Sequence, residues 1–250
     1  MKLLIANGCS HTAGTDIDPR NREYCPDKAW PRYVAEHYKM QYINLARSGS
    51  GNEQISRSTI ANIANLIEID NLNPKDITVT ICWSGFDRYE YWYPTDDDFK
   101  SCSLASVQTT AHKYKTVGTI PQYIELRTLV EPEDYSYYKN LYYMYTTARF
   151  LESYGIEYYF ANGINSFIKP DEFKSSPNLT KHYIDMIKVY GARATTHLGF
   201  FEHNNTLVGY LESMERSDLG QKNHWGEEGQ EYYATKFLEH METVNETVNS

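Results

Sequence analysis

Apolar positions fall into two rhythms along this chain. Lys2–Asn7 is a short apolar run halted at Gly8, and Gln41–Ala46 is a second, halted by Ser48-Gly49-Ser50-Gly51. Asp76–Trp83, with Ile77, Val79 and Ile81, is a third, and Ile156–Ala161, ahead of Asn162-Gly163, is a fourth. Runs of this length, rich in β-branched residues and bounded by Gly and Asn, predict buried strands. Between them the apolar spacing widens to the helical period. Val34, Ala35 and Tyr38 predict a helix over Ala29–Tyr38 that begins near Pro31, where a missing N–H costs nothing. Ile55, Ile60, Ile63, Ala64 and Ile67 place an apolar stripe along Glu53–Ile69. Helices are also predicted over Tyr135–Ser153, closed by Gly155, over Pro177–Val189 and over Gly226–Met241. Asp87–Glu131 is aromatic and polar, includes Asp96-Asp97-Asp98, and keeps no period, so it reads as an insertion or long irregular segment.

Strands alternating with helices predict an α/β fold whose parallel sheet is covered on both faces. Without repeats or linkers, residues 1–250 read as one domain carrying an aromatic-rich insertion around 87–132. Sheets of this kind take ligands at the carboxyl ends of their strands. That directs attention to Gly8–Thr12, Ser48–Asn52, Trp83–Asp87 and Asn162–Gly163.

Composition narrows the function classes. The 250 residues carry a formal net charge of −9, against the basic surplus of a phosphate-backbone binder, so no nucleic-acid partner is expected. No apolar run approaches a membrane span, and Leu3–Ala6 is too short for a signal core, so the expected setting is the cytoplasm with no membrane partner. Cys9, Cys25, Cys82 and Cys102 lack CxxC spacing, which fits reduced thiols. Tyrosine is overrepresented, with 23 copies against 9 Phe and 4 Trp, which suits half-buried grooves and interfaces.

Three segments could carry chemistry. In Asn7-Gly8-Cys9-Ser10-His11-Thr12, Gly8 allows a sharp strand-to-helix turn that exposes Ser10 at the sheet edge. A serine so placed can attack a carbonyl if a base takes its proton and N–H groups hold the oxyanion; it can equally cap the following helix. The small residues of Asn44–Asn52 permit close backbone approach to a ligand, or simply form a flexible turn, and GxGxxG and GxxxxGK[ST] are both lacking. His224 precedes the last helix in a loop, as either a general base or a capping, solvent-facing histidine. The other histidines show no HxH or HExxH spacing, and Asp96–Asp98 lacks the Gly and Glu of a calcium loop, so neither metal nor cofactor is expected.

Taken together, these segments resemble the SGNH (GDSL-type) hydrolases, in particular compact phage-type members, over Lys2–Gly85 and Ile156–Met241. Gly8-Cys9-Ser10-His11-Thr12 stands in the family's first block, with Cys9 where Asp is usual. Asn44-Leu45-Ala46 with Gly49 resembles the second block, and His224 ahead of Gly226 to Gly229 and Tyr233-Ala234 the last. Two positions depart from the pattern. Trp83-Ser84-Gly85-Phe86-Asp87-Arg88 lacks the third block's oxyanion Asn, leaving Ser84, through hydroxyl or N–H, or an Asp87-organised loop. Gln221 fills the place of the triad Asp, with Asp218 the nearest upstream carboxylate.

The resemblance implies a three-layer α/β/α sandwich with a mainly parallel, flavodoxin-like sheet. It also implies an acyl-enzyme ester hydrolase, with carbohydrate O-acetyl groups or other small-molecule esters as expected substrates, and a virus-encoded origin. Ser10 would be the nucleophile and His224 the base, with Asp218 as orienting residue or none. Ser10, Gly49 and Ser84 would form the oxyanion hole, and Asn52, Asp87, Tyr91 and Trp92 would bind substrate. Two alternatives stand beside it: a catalytically silent scaffold that binds a carbohydrate or protein, and a Cys9 nucleophile with Ser10 as bystander.

Overall fold

The computed structural model describes residues 2–15, 17, 25–93, 98–103, 134–213, 220–221 and 224–249, with 92–93, 98–103, 192, 211, 213, 220–221, 224–225 and 247–249 described by backbone alone. Four parallel strands form the central sheet: β1 (Leu3–Gly8), β2 (Gln41–Asn44), β3 (Ile77–Trp83) and β6 (Glu157–Asn162), in the order β2-β1-β3-β6. β1 sits between β2 and β3, with Leu3 opposite both Gln41 and Ile77. A parallel bridge from Ala161 to Leu198 continues the sheet beyond β6.

Alternation along the strands sorts side chains onto two helical layers. Leu3, Ile5, Val79, Ile81, Trp83 and Phe160 face α3 (Asn52–Glu68), α4 (Tyr135–Ser153) and α5 (Pro177–Tyr190), meeting Ile55, Ile63, Leu141, Met144, Leu151, Tyr183 and Tyr190. Leu4, Cys82, Tyr159 and Ala161 face α2 (Trp30–His37) and α7 (Glu227–Asn249), meeting Trp30, Val34, Tyr233, Ala234 and Phe237. The expected three-layer α/β/α architecture is therefore present, with the parallel sheet at its centre.

Where sequence and structure differ, the reason is long-range. The stretch after Asp87 begins as an antiparallel hairpin of β4 (Arg88–Tyr93) and β5 (Asp98–Ser103), not as irregular chain. Its period was hidden because the inward positions include Glu90, a buried carboxylate held by Arg57 Nε and Nη2 of α3 at 3.1 and 2.6 Å. Residues 104–133 of the expected insertion lie outside the described residues. α7 runs on to Asn249, past the expected end at Met241, because Val244 packs on the second layer and Asn245 Oδ1 accepts the Tyr159 hydroxyl at 2.7 Å. Two short helices, α1 (Ser10–Ala13) and α6 (Leu207–Ser213), were too short to show a period. β7 (Gly220–Gln221) and β8 (His224–Trp225) form a small hairpin where a loop was expected.

Candidate active site

Ser10 opens α1 immediately after β1. The turn needs glycine at position 8 for space: a Cβ there would stand 2.2 Å from Thr12 Oγ1 and 2.8 Å from the Cys82 carbonyl oxygen. Asn7 locks the end of β1. Its Nδ2 donates to Ile55 O, Ser58 Oγ and Thr59 Oγ1 at 3.1, 2.9 and 2.8 Å, and its Oδ1 accepts the Gly8 N–H at 2.8 Å. α1 closes at Gly14, whose left-handed φ of 75° lets its N–H cap Ser10 O. Ser10 is buried, and Cys9 beside it more so. Burial pushes the Cys82 thiol up, and the neighbouring Cys9 adds to the shift. These surroundings disfavour a thiolate at Cys82.

The second strand end lies against the first. Asn44 Nδ2 donates to Thr12 O at 2.8 Å, and its Oδ1 accepts the Ala46 N–H at 3.0 Å. Beyond it, the Ser50 N–H donates to Arg47 O at 3.2 Å, closing a turn around Gly49, whose φ of 83° is the left-handed conformation that favours glycine. Gly49 is exposed with open space where a Cβ would stand, so its backbone is accessible to a ligand.

At the third strand end, the two expected donors of Ser84 separate. Its N–H is committed to Asn52 Oδ1 at 2.7 Å, so the N–H cannot serve an oxyanion. Its Oγ is buried and without a hydrogen-bond partner among the described residues. Asn52, expected at the substrate, is fully buried and its amide is engaged with Ser84 and Asn140, which makes it a support. Phe86, on the same loop, is buried among Tyr137 and Phe167. Asp87 and Tyr91 are half-buried on the same loop and hairpin, while the Trp92 side chain lies outside the described residues. Tyr89 is buried beneath Lys139, whose Nζ is 3.2 Å from the ring centroid.

At the fourth strand end the Gly163 N–H donates to Trp83 O at 2.7 Å, tying β6 to β3. Asn162 Oδ1 accepts from His197 Nε2 at 3.1 Å, so Nδ1 is the acceptor for the Tyr190 hydroxyl at 3.0 Å. Burial holds the His197 imidazole neutral, its pKa well below the usual range. It is a core histidine.

The hairpin of β7 and β8 brings His224 to this edge. Gln221 faces His224 across it, and the backbone of β8 runs beside α1 and the start of α7, with Cα atoms within 8 Å. α7 is anchored there by Lys28–Glu227 at 2.8 Å and by the Trp30 N–H on Gln230 Oε1 at 3.0 Å. Asp218 lies outside the described residues, as does the His224 side chain. Among the described residues no three His, Cys, Asp or Glu are grouped to hold a metal ion, and no helix is long and apolar enough to cross a membrane. The sequence reading missed the supporting asparagines Asn7, Asn140 and Asn165. Their one local signal is a polar amide within or beside an apolar run.

A family model matches residues 12–246. The chain belongs to DUF6071, a family of unknown function. Comparison of the sequence with curated proteins gives no match. Among solved structures, this DUF6071 chain is similar to YXIM_BACsu from Bacillus subtilis, at 10% identity and a TM-score of 0.50, over 98% of this chain and 57% of that one. It is also similar to the psychrotrophic esterase EstA from Pseudoalteromonas sp. (13% identity, TM-score 0.47, all of both chains). A third similar structure is a lipolytic G-D-S-L family member from Veillonella parvula DSM 2008 (13% identity, TM-score 0.46, 96% and 97% of the two chains). At these identities the likeness is one of fold: a mainly parallel four-stranded sheet flanked by helices.

Proposed function

We propose that this chain is a serine ester hydrolase. The observation that carries the reading is the placement of β8, with His224, beside the helix that Ser10 opens, at the sheet edge where the Gly49 turn and Ser84 also end. Ser10 Oγ attacks the ester carbonyl as His224 takes its proton, and the carbonyl π electrons move onto oxygen. The Ser10 and Gly49 N–H groups and the Ser84 hydroxyl hold that oxyanion. Collapse expels the alcohol, which takes the proton back from the imidazole. Water then attacks the acyl-serine, passing its proton to His224, which returns it to Ser10 Oγ as the acid leaves. With Gln221 opposite His224, the base works as part of a dyad or with Asp218 as a third member.

Carbohydrate O-acetyl esters are the proposed substrates. The half-buried Tyr91 and the ring pair of Tyr135 and Tyr138, with centroids 6.0 Å apart, offer aromatic faces on elements that start at this edge. A fluorophosphonate probe tests the mechanism: labelling and p-nitrophenyl acetate turnover, both abolished in Ser10→Ala, are expected. The Ser84 N–H, committed to Asn52, favours a second reading, a silent carbohydrate-binding scaffold. A wild-type chain that neither labels nor turns over ester, yet binds acetylated oligosaccharide, would establish it instead.

A further inference from the structure

We propose that Asn52, Asn140 and Asn165 form an amide clamp that positions the oxyanion side of this site. The inference rests on reading Ser10 as the nucleophile.

Four backbone polar groups of the Ser84–Phe86 segment are held by side-chain amides from three different elements. Asn52 Oδ1 accepts the Ser84 N–H at 2.7 Å, while its Nδ2 donates to Ser84 O at 3.1 Å. Asn165, on the segment after β6, accepts the Phe86 N–H on Oδ1 at 3.1 Å. Asn140 of α4 donates to Phe86 O at 3.0 Å and to Ser136 O at 2.7 Å. The clamp is linked internally, because Asn52 Nδ2 also donates to Asn140 Oδ1 at 2.8 Å. Each Nδ2 of the buried pair thus has one acceptor for each of its two hydrogens. Asn52 and Asn140 are fully buried.

What the clamp leaves over is informative. The Ser84 hydroxyl is buried and has no partner among the described residues, an unusual state for a group so expensive to orphan. A ligand oxygen would satisfy it. Asn52 also opens α3 directly behind the Gly49–Gly51 turn, and Arg88 Nη1 donates to Ser50 O at 3.1 Å. One side chain therefore sets the spacing between the Gly49 turn and Ser84. An amide is required because the same group must both donate to Ser84 O and accept from Ser84 N–H. A carboxylate at position 52 would face the Ser84 and Asn140 oxygens without a hydrogen to give.

The three residues are positioning residues, acting through Ser84. Steady-state p-nitrophenyl acetate kinetics and the rate of Ser10 phosphonylation by a fluorophosphonate, read with Tm, test them in Asn52→Asp, Asn140→Asp and Asn165→Ala. Asn165 is exposed and its removal leaves the core packing in place. Arg57→Ala, which loosens the Glu90 pair outside the site, is the control for lost stability alone. Well below Tm, kcat and the phosphonylation rate are expected to fall about 10- to 100-fold in the two Asp variants and severalfold in Asn165→Ala, with KM within about twofold. The Arg57→Ala control keeps wild-type kcat. Asn variants that lose Tm but keep kcat, as the control does, overturn the clamp while leaving the esterase standing. A wild-type chain without labelling or turnover overturns the esterase reading, and the clamp with it.

Discussion

The β1–α1 turn makes a sharp steric prediction at Gly8. Its φ is not in the left-handed region, so alanine there faces no conformational penalty of the kind glycine usually avoids. The obstacle is space. The new Cβ would stand 2.2 Å from Thr12 Oγ1, 2.7 Å from Thr12 Cβ and 2.8 Å from Cys82 O. Thr12 cannot move aside freely, since it is fully buried, its carbonyl accepts Asn44 Nδ2 at 2.8 Å, and its hydroxyl receives the Trp30 Nε1–H at 3.3 Å. The Cys82 carbonyl belongs to β3, paired directly opposite Gly8. Relief therefore needs α1 to shift by about 1 Å, and overpacking of this kind costs about 2–3 kcal/mol. Urea unfolding followed by circular dichroism reads the loss from the midpoint at unchanged m-value. Thr12→Ala in the same chain should restore only part of it, because the Cys82 contact remains. Gly155→Ala is the contrast: φ is 66° and the space is open, so its cost, about 1 kcal/mol, is conformational and no second substitution relieves it. A Gly8→Ala chain within about 0.5 kcal/mol of wild type would refute the steric argument.

Other sites give independent outcomes. Arg57→Ala strands the Glu90 carboxylate, whose side chain is 4% exposed, and is expected to cost about 3 kcal/mol by urea denaturation, largely restored when Glu90→Gln is added. Thr80 is fully buried with its hydroxyl unpartnered among the described residues, so Thr80→Val, of the same shape, should raise stability by about 1 kcal/mol in the same assay. Burial lowers His240 to about 4 and holds His197 well below its usual range, so both are neutral in the folded chain near pH 7. The unfolded chain binds these protons near pH 6.5, and stability is therefore lost as pH falls from there toward 4, by about 3 kcal/mol for His240 alone. His240→Gln should flatten that part of the pH–stability curve, and an unchanged slope would exclude the histidine as its source.

Much of the framework could be read without coordinates. The four parallel strands were visible, their ends within two residues, because buried parallel strands are short apolar runs stopped by residues that turn the chain. The grouping of Ser10, Gly49 and His224 came from the resemblance to a known family rather than from that pattern. The irregular reading after Asp87 failed because Glu90 sits inward, and nothing in the local sequence announces that Arg57 waits for it.

The strand–helix alternation, the apolar stripes and the serine at the first turn belong to the sequence, because each depends on neighbours within a few positions. Only the tertiary structure decided that β8 runs beside α1 and that His197 is a core residue. It alone turned Asn52 from a substrate contact into a support and left Ser84 its hydroxyl but not its N–H. Each of these depends on which distant donor meets which acceptor once the sheet has formed. An asparagine reads the same in sequence whether its amide meets water, a ligand or the backbone of another strand.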